Sequence, residues 1–408
     1  MDASLDPGHY GLVLLTLGVL LSVSILADII AARTAIPRIS LLVLVGVGVA
    51  AVQQWGLEQP AGPLTNLAEP LIQVALVMVA FLLGGEFTAD RMRTLGPVVA
   101  LFSLIVVLAC AMAVGLGLWL LGFPMVLAVT LAAISVATDP AAVSETIEEI
   151  RAGDSRAGKL LLSTVAVDDG WGIIVFGLAM AFMGWHASGD GSQAILEALW
   201  EFGGAVVLGV MVGVPAAWLT GRLEAGEPTL VEALALILLL AGGAALLNVS
   251  ELLAAMIAGS MIANLASHHT RSFNEIDYLK WPFLVFFFVL AGASLDLKNL
   301  HAALGITLAY IALRLCGRYL GGILGRRAVA NRQPGLPGGV GLALTPQAGV
   351  AMGMALLAGE RFPEHGPTLM AVVVGSTIVF ETVGPWLVRR ILAEQSALHV
   401  ANNKEHKS

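Results

Sequence analysis

Charge is what this sequence has little of. Asp, Glu, Lys and Arg together make up 12% of its 408 residues, about half the share of a soluble domain. A water-soluble fold of this length would keep more charge on its surface, so the shortage excludes an ordinary soluble enzyme or binding module. Cysteine is also scarce. Cys110 and Cys316 both fall inside apolar runs, and a disulfide framework is not indicated. The opening MDASLDPGHY lacks the basic region of a cleaved signal peptide. The net charge is −8, and no nucleic-acid partner is expected. What the sequence does have is apolar surface: 58% hydrophobic residues and a mean hydropathy of +0.87. It reads as an all-α polytopic protein whose main partner is the lipid bilayer.

A bilayer crossing needs about 20 apolar residues. Runs and their Gly, Pro and charge breaks predict thirteen helices, at 10–32, 36–56, 64–88, 95–122, 124–149, 158–185, 193–222, 228–249, 251–267, 279–297, 301–325, 336–359 and 366–392, followed by a short tail at 393–408. The eighth and ninth are joined by a tight turn around NVSE. With the N-terminus outside, 17 of the 21 Lys and Arg fall on the inner side, Lys298 and Arg361 fall outside, and Arg314 and Arg318 lie within a span. The positive-inside rule favours such a split, so the sequence predicts N-out, C-in in a plasma or bacterial inner membrane.

A weak repeat runs through the chain. Phe81, Leu83 and Gly85 recur 207 residues on as Phe288, Leu290 and Gly292, and the same offset takes Thr138 to Thr345. These pairs join spans 3 with 10 and 5 with 12, an odd number of crossings apart, so partners run in opposite directions. Inverted repeats with interrupted helices in matching places point to a secondary transporter with its site near the midplane.

The interruptions are Thr138-Asp139-Pro140 in span 5 and Thr345-Pro346-Gln347 in span 12. Proline donates no backbone hydrogen bond and disfavours helix in the residue before it. Broken backbone at membrane depth survives only inside protein or beside water. Each break exposes helix ends with partial charges, which Asp139 is suited to neutralise. Freed carbonyls and the Thr138 hydroxyl offer the oxygen ligands a hard cation prefers. Span 6 adds Asp168 and Asp169, in mid-membrane, where an acid is a functional candidate by default. Neighbours on a helix are turned by about 100°, so the two acids do not share a face. A desolvated carboxylate holds a proton or a metal cation but not both well, and that competition is the basis of exchange.

ATDP, then VDDGWGIIVFG, LLNVSELLAAMIAGSMIAN, ALRLCGRYLGGILG and LTPQAGVAMGMALL together resemble the monovalent cation/proton antiporter superfamily over nearly the whole chain. The resemblance implies crossed broken helices and a homodimer. It also implies a dimerisation domain, near 10–88 and 193–297, and a core, near 95–185 and 301–392, that moves like an elevator. Asp169 becomes the carboxylate for which Na⁺ (or Li⁺ or K⁺) and H⁺ compete, with Asp168, Thr138 and Asp139 beside it and Thr138 a candidate Na⁺ ligand. No cofactor beyond the transported ions is expected, and no enzymatic activity. Asp-Asp in span 6 is typical of the electrogenic branch, which carries a Lys where this chain has Arg314. The exchanger branch uses an Arg there, paired with a Glu at the position occupied here by Thr164.

Arg314 therefore needs another partner; the candidates are Glu381, Glu86 and Asp168, and its expected role is to compensate helix C-termini and a carboxylate. Arg318, nearer the inner surface, is expected to snorkel. Glu145, Glu148 and Glu149 either draw cations inward or form a solvated helix end with Arg151, Arg156 and Lys159. Rival readings are a K⁺-efflux transporter of the same superfamily and an intramembrane aspartyl protease built on Asp139 and Asp169, whose usual flanking motifs are missing.

Overall fold

Peptide groups in lipid find no water to bond, and a helix satisfies them internally. The computed structural model describes residues 7–33, 38–55, 65–86, 89–153, 155–188, 191–220, 229–266, 269–293, 300–347 and 349–405. These form fourteen α-helices and one 3-10 turn, with no strand among the described residues. In chain order the helices are α1 (Pro7–Arg33), α2 (Arg38–Trp55), α3 (Thr65–Glu86), α4 (Ala89–Leu120), α5 (Met125–Ile134), α6 (Pro140–Glu149) and α7 (Arg156–Ser188). They continue with α8 (Gly191–Thr220), α9 (Thr229–Leu247), α10 (Glu251–Leu265), α11 (His269–Ala293), α12 (Leu300–Ala328), α13 (Gly349–Arg361) and α14 (Gly366–Glu405). The 3-10 turn, Val340–Leu344, precedes α13.

Each predicted segment contains a helix, and segments 5 and 12 contain a broken pair: α5 with α6, and the 3-10 turn with α13. Six helices carry an apolar stretch long enough to cross a bilayer, and α7 makes a seventh if its two halves, which meet at 40°, count as one. Shorter apolar stretches lie in α2, α3, α5, α10, α11 and α13. The turn at NVSE holds two separate helices apart. Asn248 takes a positive φ of 52°, a conformation Asn tolerates better than most residues, and Ser250 caps α10 by accepting from the Leu253 amide.

Three boundaries differ most from the sequence reading, one of them the start of α11, at His269 where 279 was expected. Helix begins at Ala89 and is interrupted at Gly96, whose φ of 61° suits glycine alone, before Pro97 restarts it. At the other end, α14 runs on to Glu405 through the segment expected as a separate tail. No Gly or Pro follows Pro385 to stop it.

Packing falls into two groups. α12 lies along α4 and touches α14 and the 3-10 turn, while α4, α5 and α7 contact one another and α13 and α6 pack on α14. Elsewhere α10 packs between α3 and α8, and α11 between α2 and α3. Close approach in the first group depends on Gly322 and Gly341. A side chain at Gly341 would strike the Arg318 carbonyl, and one at Gly322 would strike the backbone of Gly341. The 3-10 turn thereby lies directly on α12, beside its two buried arginines. Large apolar side chains such as Leu14, Trp119, Trp218, Leu246 and Leu308 remain exposed, as expected of a surface that meets lipid.

Candidate functional site

The two breaks face each other. α5 ends at Ile134, and the chain runs through Ser135 to Asp139 before Pro140 starts α6. Proline costs nothing at a first helical position, where its N–H would be unpaired anyway. Asp139 caps α6, its Oδ2 accepting from the Ala142 amide at 3.2 Å. Its own amide donates to the Pro346 carbonyl at 2.9 Å, which ties one break to the other. In the second break, Thr345 turns its hydroxyl back to the Leu342 carbonyl at 2.6 Å. Gln347 is buried, its Oε1 accepting from the Tyr310 hydroxyl at 3.3 Å.

Two arginines on α12 read the carbonyls that the breaks release. Arg314 and Arg318 are four residues apart and so share a helix face; both are fully buried. Arg314 donates to the carbonyls of Ser135 (2.9 Å), Ala137 (2.8 Å) and Thr345 (2.6 Å). Its guanidinium also lies 4.4 Å from the centre of the Phe380 ring, a favourable cation–π placement. Arg318 donates to the Val136 carbonyl, to the Thr138 hydroxyl at 2.9 Å and to Asp168 Oδ2 at 3.0 Å. Asp168 is saturated. It also accepts from Ser103 of α4 at 2.8 Å and from Thr138 at 2.9 Å, and like Arg318 it has no solvent exposure.

These contacts balance. Each helix end carries roughly half a charge, so the C-termini of the two broken pairs and Asp168 offset two guanidiniums. Asp139 offsets the N-terminus that begins α6. Arg314→Lys keeps the charge but loses the fork that spans three carbonyls. It is expected to cost about 1–2 kcal/mol, read as a lower melting temperature in detergent.

Several expectations need correcting. Arg318 does not snorkel: it is the partner of Asp168, because α12 packs too tightly on α4 and the 3-10 turn for position 318 to reach water. Arg314 takes carbonyls from both breaks where a carboxylate was expected among its partners, since unpaired C=O groups at two helix ends already present negative charge. Ser103, Tyr310 and Phe380 belong to the cluster and were not anticipated. Thr138 stands between Arg318 and Asp168, and Thr164 is buried with no bond to its hydroxyl among the described residues. Glu381 is buried beside Asp139, and no ion pair joins it to either arginine among the described residues. Asp169 and Glu86 lie on α7 and α3, but their side chains fall outside those described.

A buried ion pair and buried arginines at the breaks of apolar helices define a polytopic membrane protein that handles ions. A family model described as sodium/hydrogen exchanger, transmembrane, matches residues 18–392. The chain belongs to that family: it is a multi-pass cation/proton antiporter and not an enzyme, which removes the protease alternative. Its structure is similar to that of the sodium proton antiporter MjNhaP1 from Methanocaldococcus jannaschii at pH 8, with a TM-score of 0.70 and 18% identity over 94% of this chain and 99% of the other. No curated protein matches the chain.

Proposed function

We propose that the chain exchanges Na⁺ for H⁺ one for one, with Asp169 as the carboxylate for which the two ions compete. The observation that carries this reading is the charge balance at the breaks. Asp168 is held by an arginine that never releases its proton, and the helix ends are offset by Arg314 and Asp139. The next residue along α7 is turned by about 100° from Asp168 and lies at the 40° bend of that helix. With the surrounding charges matched, a negative charge at Asp169 is neutralised by its cargo, a cation or a proton.

One exchangeable carboxylate gives one proton per cation and no net charge moved. Asp-Asp in span 6, the mark of the electrogenic branch, therefore works here as a structural anchor followed by a carrier. Thirteen crossings, N-terminus out and C-terminus in, are part of this reading, which the bias of basic residues supports. The packed group of α4–α7 and α12–α14 would be the moving core, its broken helices crossing at Asp139 and Pro346. The group of α1–α3 and α8–α11 would be the scaffold through which two copies pair.

Purified protein in liposomes tests this directly. Na⁺ is expected to dissipate an imposed pH gradient, at a rate unchanged by a clamped membrane potential. Each uncompensated charge would be worth about 2.3 kcal/mol per 100 mV, so a rate that follows the potential sinks the one-for-one ratio. Dissipation by K⁺ alone would favour the K⁺-efflux reading.

A further inference from the structure

Three glycines of the group of α4–α7 and α12–α14 meet large side chains of the other group. Gly177 of α7 lies under the ring of Phe202 of α8, Gly353 of α13 under Leu76 of α3, and Gly349 of α13 under Phe288 of α11. A methyl group built on Gly177 would fall within the Phe202 ring, and one on Gly353 would strike the Leu76 side chain. One on Gly349 would touch the Phe288 ring at 3.4 Å. Leu76 and Phe288 are buried, at 3% and 1% exposed. Gly349 and Gly353 are four residues apart and so share one face of α13. In all three contacts the projecting side chain belongs to one group and the glycine to the other. Two helix surfaces that interdigitate residue by residue must unpack before they slide. A glycine face has no side chain to catch.

The three contacts lie at one end of the bundle. α7 starts seven residues after the end of α6 and reaches Gly177 eight residues beyond Asp169, about 12 Å further along its axis. Gly349 and Gly353 follow the second break. Burial differs between the two sides of the breaks. α5, which touches α13, buries Leu127, Leu131 and Ile134 along with the hydroxyl-bearing Thr130. On the opposite side α6 exposes Glu145, Glu148 and Glu149, and Ala142 and Ser144, within two turns of Asp139, are partly exposed. Water therefore approaches the breaks from the α6 side, while apolar side chains cover the α13 side.

We infer that Leu76, Phe202 and Phe288 form an apolar seal on the outer side of the breaks, shut in this structure, and that exchange requires them to leave their glycine sockets. The inference rests on the transport reading, which makes the glycine-bearing group the moving core and the α13 end the outer one. As the core shifts, the glycine faces of α13 and α7 slide past the three side chains, and the site gains a route to the outside.

Paired cysteines test the seal, in a Cys110→Ala, Cys316→Ala background. Leu76→Cys removes the methyl groups that a side chain at 353 would strike, so Gly353→Cys fits beside it. A short bifunctional thiol reagent should bridge the pair in detergent, read by intact-chain mass as one linker holding both thiols. In proteoliposomes the bridged protein should lose Na⁺-driven collapse of a pH gradient, and reduction of the linker should restore it. Phe202→Cys with Gly177→Cys should behave alike and replaces the first pair if that pair is inactive when reduced. Absence of a bridge in both pairs overturns the contacts, and a bridged protein that exchanges at its reduced rate overturns the seal. A background protein that exchanges no cation would count against the antiport reading instead, while the bridging yield still decides the contacts.

Discussion

Asp168→Ala is expected to destabilise the protein by about 3–5 kcal/mol, the typical cost of leaving one member of a buried ion pair alone. Arg318 has no exposure and its partner none, so the orphaned guanidinium has no route to water short of unpacking α12 from α4. The same substitution removes the acceptor for the hydroxyls of Ser103 and Thr138, which couples α4 and the first break to the loss. Arg318→Met should be comparably harmful, since it strands Asp168 and frees the Val136 carbonyl and the Thr138 hydroxyl from their donor. The double variant is the informative one. Replacing both members of a buried pair by apolar groups is often close to neutral. Melting temperatures should therefore show the double variant well short of the sum of the singles, a coupling that a double-mutant cycle reads directly. Additive losses would mean that the two residues act independently and that the pair is not what anchors Asp168. A wild-type melting temperature for Asp168→Ala would dispose of the anchor altogether.

The fold was largely legible because its cause is one-dimensional. A run of apolar residues about a bilayer long becomes a helix whatever its neighbours do, and Pro140 and Pro346 interrupt helix by their own chemistry. Both breaks appear where Thr-Asp-Pro and Thr-Pro-Gln place them. The cluster around them was less legible, because contact across helices depends on rotation about each axis, and sequence spacing fixes that only within one helix. Arg314 and Arg318 show the difference. Their spacing of four already put them on one face of α12, and that relation holds. Which helices that face meets was not encoded locally, so Arg318, nearer the inner surface, was expected to snorkel when its partner lay across the bundle on α7. For Arg314 the helix C-termini were legible, because a sequence with two broken helices announces unbonded carbonyls at their ends, and three such carbonyls are what it bonds; among the described residues no carboxylate joins them. Ser103 could not have been picked from the other small polar residues of its span without knowing that α4 lies between α7 and α12.

Asp169→Asn should remove exchange entirely while leaving the melting temperature near that of the wild type. Asparagine has nearly the size and shape of aspartate, so packing at the bend of α7 is preserved. It cannot bind a proton in the working pH range, however, and it offers a cation no net charge. Both halves of the cycle fail together, so loss should be complete for Na⁺, Li⁺ and K⁺ alike. A variant that only weakened one ion would leave a residual rate at high concentration of that ion. The contrast with Asp168 separates carrier from anchor. A substitution at 168 is expected to act through stability, and one at 169 through transport with the fold intact. Proteoliposomes holding matched amounts of each variant, assayed for collapse of a pH gradient on cation addition and checked by thermal unfolding, distinguish the two. Measurable Na⁺-driven collapse in Asp169→Asn would take the carrier role from that residue. Of the two neighbouring acids it would leave Asp168, and an acid already bound to Arg318, Ser103 and Thr138 would have to give up all three contacts in every cycle to serve.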